Sequence, residues 1–233
     1  MFRDKMCCAI IAGGGSSQRF GGAPKLFAEL GGKPVIAWSA ELMQNSAFVD
    51  LAVMVMSDEQ LPKWADAARA GNYTKFSAIR GGACRQASVY AGLMHLSGRV
   101  GSDAIVIIHD GARPLASPES LAAVIEAAYR DGAALCAVAA RDTVKEAVNA
   151  LVVKTPERGN MYLAQTPQAF RLDLIIEAHK TAADQGFAAY DDATLAERLG
   201  ADVRLVPGSY SNIKITEPRD LLIAEVLLKT NAV

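Results

Sequence analysis

Apolar runs of strand length alternate along the chain with stretches that are each long enough for one helix. The runs cover residues 7–12, 51–56, 76–79, 104–108, 134–139 and 203–206. This alternation predicts an α/β protein with a doubly wound, mainly parallel sheet. The fourth run is apolar on both alternating faces, which indicates a central strand covered by helices on both sides.

The end of the chain carries the clearest helical pattern. Leu221, Ala224 and Leu228 repeat at a spacing that places them on one helix face, Pro218 suits a first turn, and Thr216 is a candidate cap. We therefore predict a helix that packs its apolar stripe against the sheet.

Residues 142–168 do not follow the helical or the strand pattern. Valines are scattered among charged residues around Asn149 and Ala150, with no long amphipathic period. The segment is therefore expected to form an extended arm or hairpin that projects from a single domain spanning residues 1–233.

Composition excludes several classes of partner. The 233 residues are 51% hydrophobic and carry 24 Lys and Arg against 25 Asp and Glu, a net charge of -1. Such a chain has no overall basic field for nucleic acid or membrane surfaces, so an anionic ligand must be held locally. Neither a membrane span nor a signal-peptide core is evident, and the four cysteines form no C-x-x-C pair. We expect a cytoplasmic protein with buried, reduced thiols.

A glycine-rich loop follows the first predicted strand. It contains three consecutive glycines and two cations: Gly13, Gly14, Gly15, Arg19 and Lys25. Glycines let the backbone approach a ligand closely and turn its N–H groups toward phosphate oxygens. The dinucleotide fingerprint fails at Gln18, and no G-K-[ST] follows for a P-loop. The loop is thus predicted to hold phosphate by another arrangement, with a plain surface turn as the alternative.

Asp110 and Arg113 follow the fourth strand. If the sheet has the order 3-2-1-4, strands 1 and 4 are neighbours at the switch point, so this loop faces the glycine-rich loop across the crevice where ligands bind. Both side chains are then well placed for chemistry, although a structural pair that braces the loop is the alternative. We interpret His109 as a packed, hydrogen-bonded structural residue.

Three further motifs have both functional and structural interpretations. Residues 81–88 begin a helix, and the free N–H groups of its first turn could face a ligand. The alternative is that this segment forms only a tight turn and a helix cap. Lys214 lies at a strand end that could direct it into a nucleotide site, or it is only a surface lysine of that strand. Asp191 and Asp192 precede a predicted helix over residues 193–199 and are interpreted as an acidic cap, not as a metal pair.

The run A-G-G-G-S-S-Q-R-F followed by P-K resembles the signature loop of sugar-nucleotide and polyol-phosphate nucleotidyltransferases. With the motifs H-D-G-A-R-P and N-I-K, the resemblance narrows to the 2-C-methyl-D-erythritol 4-phosphate cytidylyltransferase family and covers about residues 8–228. It implies a Rossmann-like nucleotidyltransferase fold, a Mg²⁺ cofactor, CTP and a polyol phosphate as substrates, and a homodimer that exchanges its arms. A ribitol 5-phosphate cytidylyltransferase and a noncatalytic nucleotide-binding regulator are the alternatives.

The resemblance also implies a set of site residues. The catalytic ones are Arg19, Lys25, Arg158 and Lys214, with Arg158 supplied by the second subunit. Substrate contacts are implied for Gly13, Gly14, Gly15, Gly82, Arg85, Ser88, Asp110, Gly111, Arg113, Thr143 and Thr166. Asp110 is in addition the implied magnesium ligand. Ala83 and Cys84 depart from the family, which usually has acidic residues there, so polar contacts from these two positions are not carried over.

Overall fold

The structure, a computed structural model, describes residues 1–14, 20 and 24–230. The strands are β1 (Cys7–Ala12), β2 (Glu29–Leu30), β3 (Lys33–Pro34), β4 (Leu51–Met56), β5 (Phe76–Arg80), β6 (Ile105–Asp110), β7 (Ala133–Ala139), β8 (Glu146–Val148), β9 (Leu151–Lys154), β10 (Tyr162–Arg171) and β11 (Arg204–Pro207). The helices are α1 (Val35–Asn45), α2 (Leu61–Ala70), α3 (Arg85–Ser97), α4 (Pro118–Asp131), α5 (Leu172–Asp184), α6 (Asp192–Arg198) and α7 (Pro218–Lys229).

A seven-stranded sheet in the order β11-β7-β10-β6-β1-β4-β5 forms the centre of the molecule. Neighbouring strands are parallel except where β10 pairs antiparallel with β6 and β7. The predicted α/β, Rossmann-like fold is therefore confirmed. Each predicted strand is present with ends shifted by at most two residues, and β6 lies beside β1 as the predicted switch point requires.

Two apolar layers cover the sheet. Alternate residues of β1 and β6 point to opposite faces, so that Ile11 and Ile107 pack with α1, α2 and α4. Ile10 and Ile108 pack on the other side with α3, α5 and α6. The fully buried β6 therefore has helices on both faces, as its unbroken apolar run predicts.

The predicted arm is only partly an arm. Residues 146–154 form the exposed hairpin β8–β9, and Asn149 and Ala150 at its turn have φ values of 50° and 64°. Positive φ at both central residues is the requirement of a tight hairpin turn. From Tyr162 onward, however, the segment is β10 and lies inside the main sheet. The prediction of an arm that extends to residue 168 is therefore wrong for this last part.

The C-terminal helix differs from its prediction in two respects. Its N-cap is Glu217, which forms a capping box with Asp220. Thr216, the predicted cap, lies one residue before the N-cap, and its N–H and hydroxyl donate to the Asp220 carboxylate. Its stripe of Leu221, Ala224 and Leu228 packs on a separate small cluster around Leu30, not on the main sheet. Leu30 of β2, Val35 of α1 and Leu115 supply the apolar surface that the stripe covers.

Three cysteines are buried and reduced as predicted, and burial raises the pKa of Cys136 to about 12. The prediction is wrong for Cys84, which is exposed because it is the N-cap of α3, where its sulfur accepts from the Ala87 N–H. None of the helices in the described ranges combines the length and apolar character needed to cross a bilayer.

Candidate active site

The site begins where the parallel strands end. The Gly13 N–H donates to the Val55 carbonyl at 2.7 Å, and the Gly111 N–H donates to the Ala12 carbonyl at 3.0 Å. A Cβ on Gly13 would lie 3.2 Å from that Val55 oxygen and 2.9 Å from the Met56 side chain. Gly13 is therefore needed for the close approach of the loop to β4, which sets the position of the glycine-rich segment.

Asp110, the last residue of β6, is the centre of a charged cluster. Its side chain is 9% exposed, and its two oxygens accept from Arg85 Nε at 3.0 Å and Lys214 Nζ at 2.6 Å. Arg113 Nε lies 3.9 Å from the same carboxylate. Burial by itself would raise the pKa of Asp110, but the charges of Arg85, Lys214 and Arg113 outweigh it and hold the pKa well below its usual range.

Arg85 extends the cluster toward α6. Its Nη1 donates at 2.7 Å to Asp192, whose carboxylate is 1% exposed and contacts His179 Nε2 at 3.0 Å. Burial alone would lower the pKa of Arg85, yet Asp192 and Asp110 raise it above the ordinary value. Arg85 therefore remains charged between two carboxylates that come from different elements.

Asp191 and Asp192 lie at the start of α6, as the interpretation of an acidic cap requires, but their side chains have different partners. Asp191 is the N-cap, because its Oδ1 accepts from the Thr194 N–H at 2.9 Å and hydroxyl at 2.6 Å. Asp192 instead points inward to Arg85. No local pattern separates the two acids, because an acid in the first turn of a helix is favourable in any case.

Arg113 ties the segment that carries Lys214 to the sheet. Its Nη1 donates to the Asn212 carbonyl at 2.7 Å, and the Asn212 side chain donates in turn to the Thr166 carbonyl at 2.9 Å. Asn212 is 2% exposed. Its role was not predicted from the sequence, although it belongs to the N-I-K motif. The network holds Lys214 beside Asp110.

His109 and Thr166 form a buried support under Asp110. The Thr166 hydroxyl accepts from the Asp110 N–H at 3.0 Å and donates to His109 Nδ1 at 3.1 Å, while His109 Nε2 donates to the Arg113 carbonyl at 3.2 Å. Burial lowers the pKa of His109 to about 4, so the ring is neutral. His109 is structural, as interpreted from the sequence. Since Thr166 is 4% exposed and uses its hydroxyl internally, its substrate contact stays a prediction.

A recess of about 460 Å³ lies between the glycine-rich segment and the start of α3. Its lining comprises Gly14, Met56, Ser57, Asp58, Glu59, Arg80, Gly81, Gly82, Ala83 and Ser88. The Ser88 hydroxyl accepts from the Gly82 N–H at 3.1 Å and donates to the Cys84 carbonyl at 2.9 Å, which fixes the turn. Two slightly larger recesses border α1 and are lined by none of the predicted site residues. The recess beside Gly14 also contains Gly82 and Ser88, so it is the better candidate for a nucleotide base.

The model of the IspD family, 2-C-methyl-D-erythritol 4-phosphate cytidylyltransferase, matches residues 7–230. The chain belongs to this family. It is 43% identical to the 2-C-methyl-D-erythritol 4-phosphate cytidylyltransferase of Dehalococcoides mccartyi, over 98% of this chain and 99% of that relative. The structure of 4-diphosphocytidyl-2C-methyl-D-erythritol synthase from Anaerococcus prevotii superposes with a TM-score of 0.86 at 30% identity and covers 97% of this chain and 96% of that one. The cytidylyltransferase of Thermus thermophilus gives a TM-score of 0.77 at 31% identity, over 95% and 98% of the two chains.

Against this family background, the fold brings many of the predicted residues to one edge of the sheet. They are Gly13, Gly14, Gly82, Arg85, Ser88, Asp110, Gly111, Arg113, Thr166 and Lys214. Lys25 begins a short 3-10 helix, Lys25–Phe27, and is half-buried. Gly15 and Arg19 lie outside the described residues.

The two predicted residues of the hairpin region lie away from the cluster. Thr143 and Arg158 flank the β8–β9 hairpin and are exposed, and Arg158 Nη1 donates to the Arg141 carbonyl at 3.3 Å. A single chain therefore gathers the residues around Asp110 but leaves those of the hairpin region facing solvent.

Proposed function

We propose that the chain transfers the cytidylyl group of CTP to 2-C-methyl-D-erythritol 4-phosphate. The products are 4-diphosphocytidyl-2-C-methyl-D-erythritol and pyrophosphate, in isoprenoid precursor biosynthesis. The observation that carries this proposal is the convergence of Arg85, Arg113 and Lys214 on Asp110 at the switch point of a chain from this family. Cations from separate elements, placed beside a glycine-rich loop, suit a reaction between two phosphate groups.

The chemistry requires no general base from the protein. An oxygen of the phosphate monoester attacks the α-phosphorus of CTP, a new P–O bond forms, and the bond to the bridging oxygen of pyrophosphate breaks. The second pKa of a phosphate monoester is about 6, so the nucleophile is already ionised near neutral pH. His109 fits this scheme, because both of its ring nitrogens are engaged inside the protein.

Catalysis then consists of positioning and charge stabilisation. We assign Arg19 and Lys25 to the developing charge on the α-phosphate. Lys214 and Arg113 are assigned to the attacking phosphate. Lys214 uses one of its three donors on Asp110, which fixes the ammonium group while leaving donors for the substrate.

We also propose Mg²⁺ as the cofactor. Magnesium is usually bound by one or two carboxylates together with substrate phosphates and waters. The described residues hold no cluster of three or more His, Cys, Asp or Glu side chains suited to a metal. Asp110 would be the protein ligand, because each of its oxygens accepts one hydrogen bond, from Arg85 or Lys214, and keeps a lone pair for the ion. A single carboxylate fits an ion held mainly by the triphosphate, where it would neutralise charge.

The second subunit is proposed to complete the site. The hairpin exposes 57% of Val148, 73% of Leu151, 60% of Val152 and 57% of Val153. Such an apolar patch on a projecting element suits contact with another protein surface. A homodimer that exchanges its hairpins would bury this patch and carry Arg158 to the phosphate site of the partner.

A mixing experiment tests the shared site. Lys25→Ala and Arg158→Ala proteins, each nearly inactive, are unfolded together and refolded as a mixture. If Arg158 acts across a two-fold interface, half of the dimers are mixed and each has one intact site, so about a quarter of wild-type activity returns. No recovery, with heterodimers confirmed by mass, would contradict the shared site.

The function itself is tested by pyrophosphate release. Purified protein is incubated with CTP and Mg²⁺, with 2-C-methyl-D-erythritol 4-phosphate, with ribitol 5-phosphate, or with neither. We expect the highest kcat/KM with the first acceptor. A preference for ribitol 5-phosphate would change the substrate and keep the reaction type, whereas CTP binding without release from either acceptor would favour the noncatalytic regulator.

A further inference from the structure

Asp192 is a buried charged residue that the proposed reaction does not use. It is the first residue of α6, its side chain is 1% exposed, and it has no position from which to touch solvent-borne substrate directly. A buried carboxylate is costly unless it is paired and hydrogen-bonded. The function of Asp192 must therefore lie in its contacts with Arg85 and His179.

The Asp192 carboxylate makes both of its contacts with side chains of other elements. Oδ2 accepts from Arg85 on α3, and Oδ1 accepts from His179 on α5. Since a carboxylate only accepts, His179 Nε2 carries the hydrogen in this contact. The His179 ring stacks on Tyr90, with ring centroids 5.9 Å apart and an interplanar angle of 19°. The contact with His179 therefore fixes the Asp192 carboxylate independently of Arg85.

The guanidinium of Arg85 is fixed at two of its three nitrogens. Nε donates to Asp110 at 3.0 Å and Nη1 donates to Asp192 at 2.7 Å. Because the group is planar, two anchors from different elements determine the direction of the third nitrogen. Nη2 is buried and has no hydrogen-bond partner among the residues that the structure describes. A buried donor without a partner is unfavourable. The Arg85 side chain is 26% exposed and so borders the crevice, where a bound ligand would supply the missing acceptor to Nη2.

We infer that Asp192 is a positioning residue for the nucleotide: it orients Arg85 so that Nη2 meets CTP while Nε holds Asp110. This inference rests on the proposed function for the identity of the nucleotide. It differs from a capping role, because Asp191 caps α6, and its carboxylate accepts from Thr194 and Gln168.

The first test compares Asp192→Asn with the matched neighbour Asp191→Asn. Both changes remove one carboxylate charge at the same helix end. We expect Asp192→Asn to raise the Kd for CTP by about 10- to 100-fold, the range found when the outer partner of a metal ligand is removed, with a smaller change in the KM for the polyol phosphate. Asp191→Asn should leave the Kd within about twofold, since a cap acts on the stability of the helix. Equal CTP affinity for Asp192→Asn and wild type would overturn the inference.

A double-mutant cycle then asks whether Asp192 acts through Arg85. In the Arg85→Gln background, Asp192→Asn should change the Kd for CTP by less than about twofold, because the group that it positions is gone. The same fold-change in both backgrounds would show an effect independent of Arg85 and would overturn the inference. If Asp192→Asn does not fold, as judged by circular dichroism, Asp192→Glu keeps the charge but displaces it and is expected to weaken CTP binding in the same way.

Direct CTP binding, measured by calorimetry, separates this inference from the proposed function. Wild-type protein that binds CTP but releases no pyrophosphate would refute the function, and the cycle would still decide the role of Asp192. Normal turnover with an additive cycle would refute the positioning role and leave the function standing.

Discussion

The cluster around Asp110 and the β8–β9 hairpin are built in opposite ways. Asp110 is bonded to Arg85 and Lys214, which lie 25 and 104 residues away along the chain. The hairpin is a local unit of residues 146–154, every one of which is exposed. Long-range pairing fixes the cluster within one chain, whereas the hairpin has only its own ladder.

This difference separates the two halves of the proposed active site. Among the residues assigned to the substrates, Arg85, Arg113 and Lys214 are already in place around Asp110, so they need little reorganisation when substrate binds. Thr143 and Arg158, beside the hairpin, have no comparable support in the single chain. If Thr143 and Arg158 belong to the active site, as proposed, a second subunit, the substrate or both would have to bring phosphate groups into contact with them.

The largest effect on turnover is expected from Lys25, at the end of the glycine-rich loop. We predict that Lys25→Ala lowers turnover by roughly 10² to 10⁴ with a smaller change in CTP affinity, because the contact strengthens as charge develops in the transition state. Steady-state kinetics of pyrophosphate release measure both quantities. Lys180→Ala, an exposed lysine on α5, is the matched control. Turnover of Lys25→Ala within threefold of wild type would refute its assigned role.

Next in size is the effect of Asp110 on stability. Asp110→Asn should lower the free energy of unfolding by about 3 kcal/mol, the lower end for a broken buried ion pair, because Lys214 is 39% exposed and can be solvated. Urea unfolding gives the value. The hairpin control Glu146→Gln, fully on the surface, should stay within about 0.5 kcal/mol. Equal losses in the two variants would contradict the contrast between the regions.

The stability that the Asp110 carboxylate contributes has a defined pH dependence. The pKa of Asp110 is lowered from its ordinary 3.8 in the folded protein, so its contribution is complete above that value and is lost as the pH falls through the folded-state pKa. The gap between wild type and Asp110→Asn should accordingly be constant between about pH 5 and about pH 8 and narrow only in stronger acid. A gap that closes between pH 7 and pH 5 would be inconsistent with the ion cluster.

A smaller effect is expected from His109, the support beneath the cluster. Its pKa falls from 6.5 to about 4 on folding, so the unfolded chain takes up a proton first as the pH is lowered. Wild-type protein should lose about 2 kcal/mol through this group between about pH 7 and about pH 5. His109→Gln, which can still donate to Arg113 and accept from Thr166, should lack this part of the slope. Identical pH slopes for the two proteins would show that His109 does not remain neutral.

Local patterns predict one part of this molecule and fail for another. The unbroken apolar run of β6 and the glycines after β1 are contiguous in sequence, so their roles could be predicted. β10 was missed because Gln165, Thr166 and Gln168 are polar and yet buried. Each is satisfied by a distant group, such as the Asp191 carboxylate that accepts from Gln168 at 2.8 Å, and no local pattern encodes such a partner.

The same reasoning explains which site residues could be found. Asp110, Arg113 and Lys214 stand in motifs that carry a family resemblance, and the structure shows them in one cluster. Asp192 was interpreted as a cap because its partner Arg85 lies 107 residues earlier in the chain. A charge pair over that separation depends on how α3 and α6 meet, which is a property of the folded chain and not of either segment.

The smallest change in the free energy of unfolding is expected for a substitution in the β8–β9 hairpin. This variant separates the hairpin from the Asp110 cluster most clearly. Leu151→Asp should change the free energy of unfolding by no more than about 0.5 kcal/mol, because its side chain is 73% exposed in the single chain and loses no packing there. If the apolar patch contacts a second subunit, the same change buries a charge at the interface, and the molecular mass in light scattering should fall from dimer to monomer together with turnover. Leu222→Asp, at a leucine on α7 that is 64% exposed, is the matched control and should leave both unchanged. A dimeric, active Leu151→Asp protein would show that the hairpin does not form the interface, and Arg158 would then have to reach the phosphate site of its own chain.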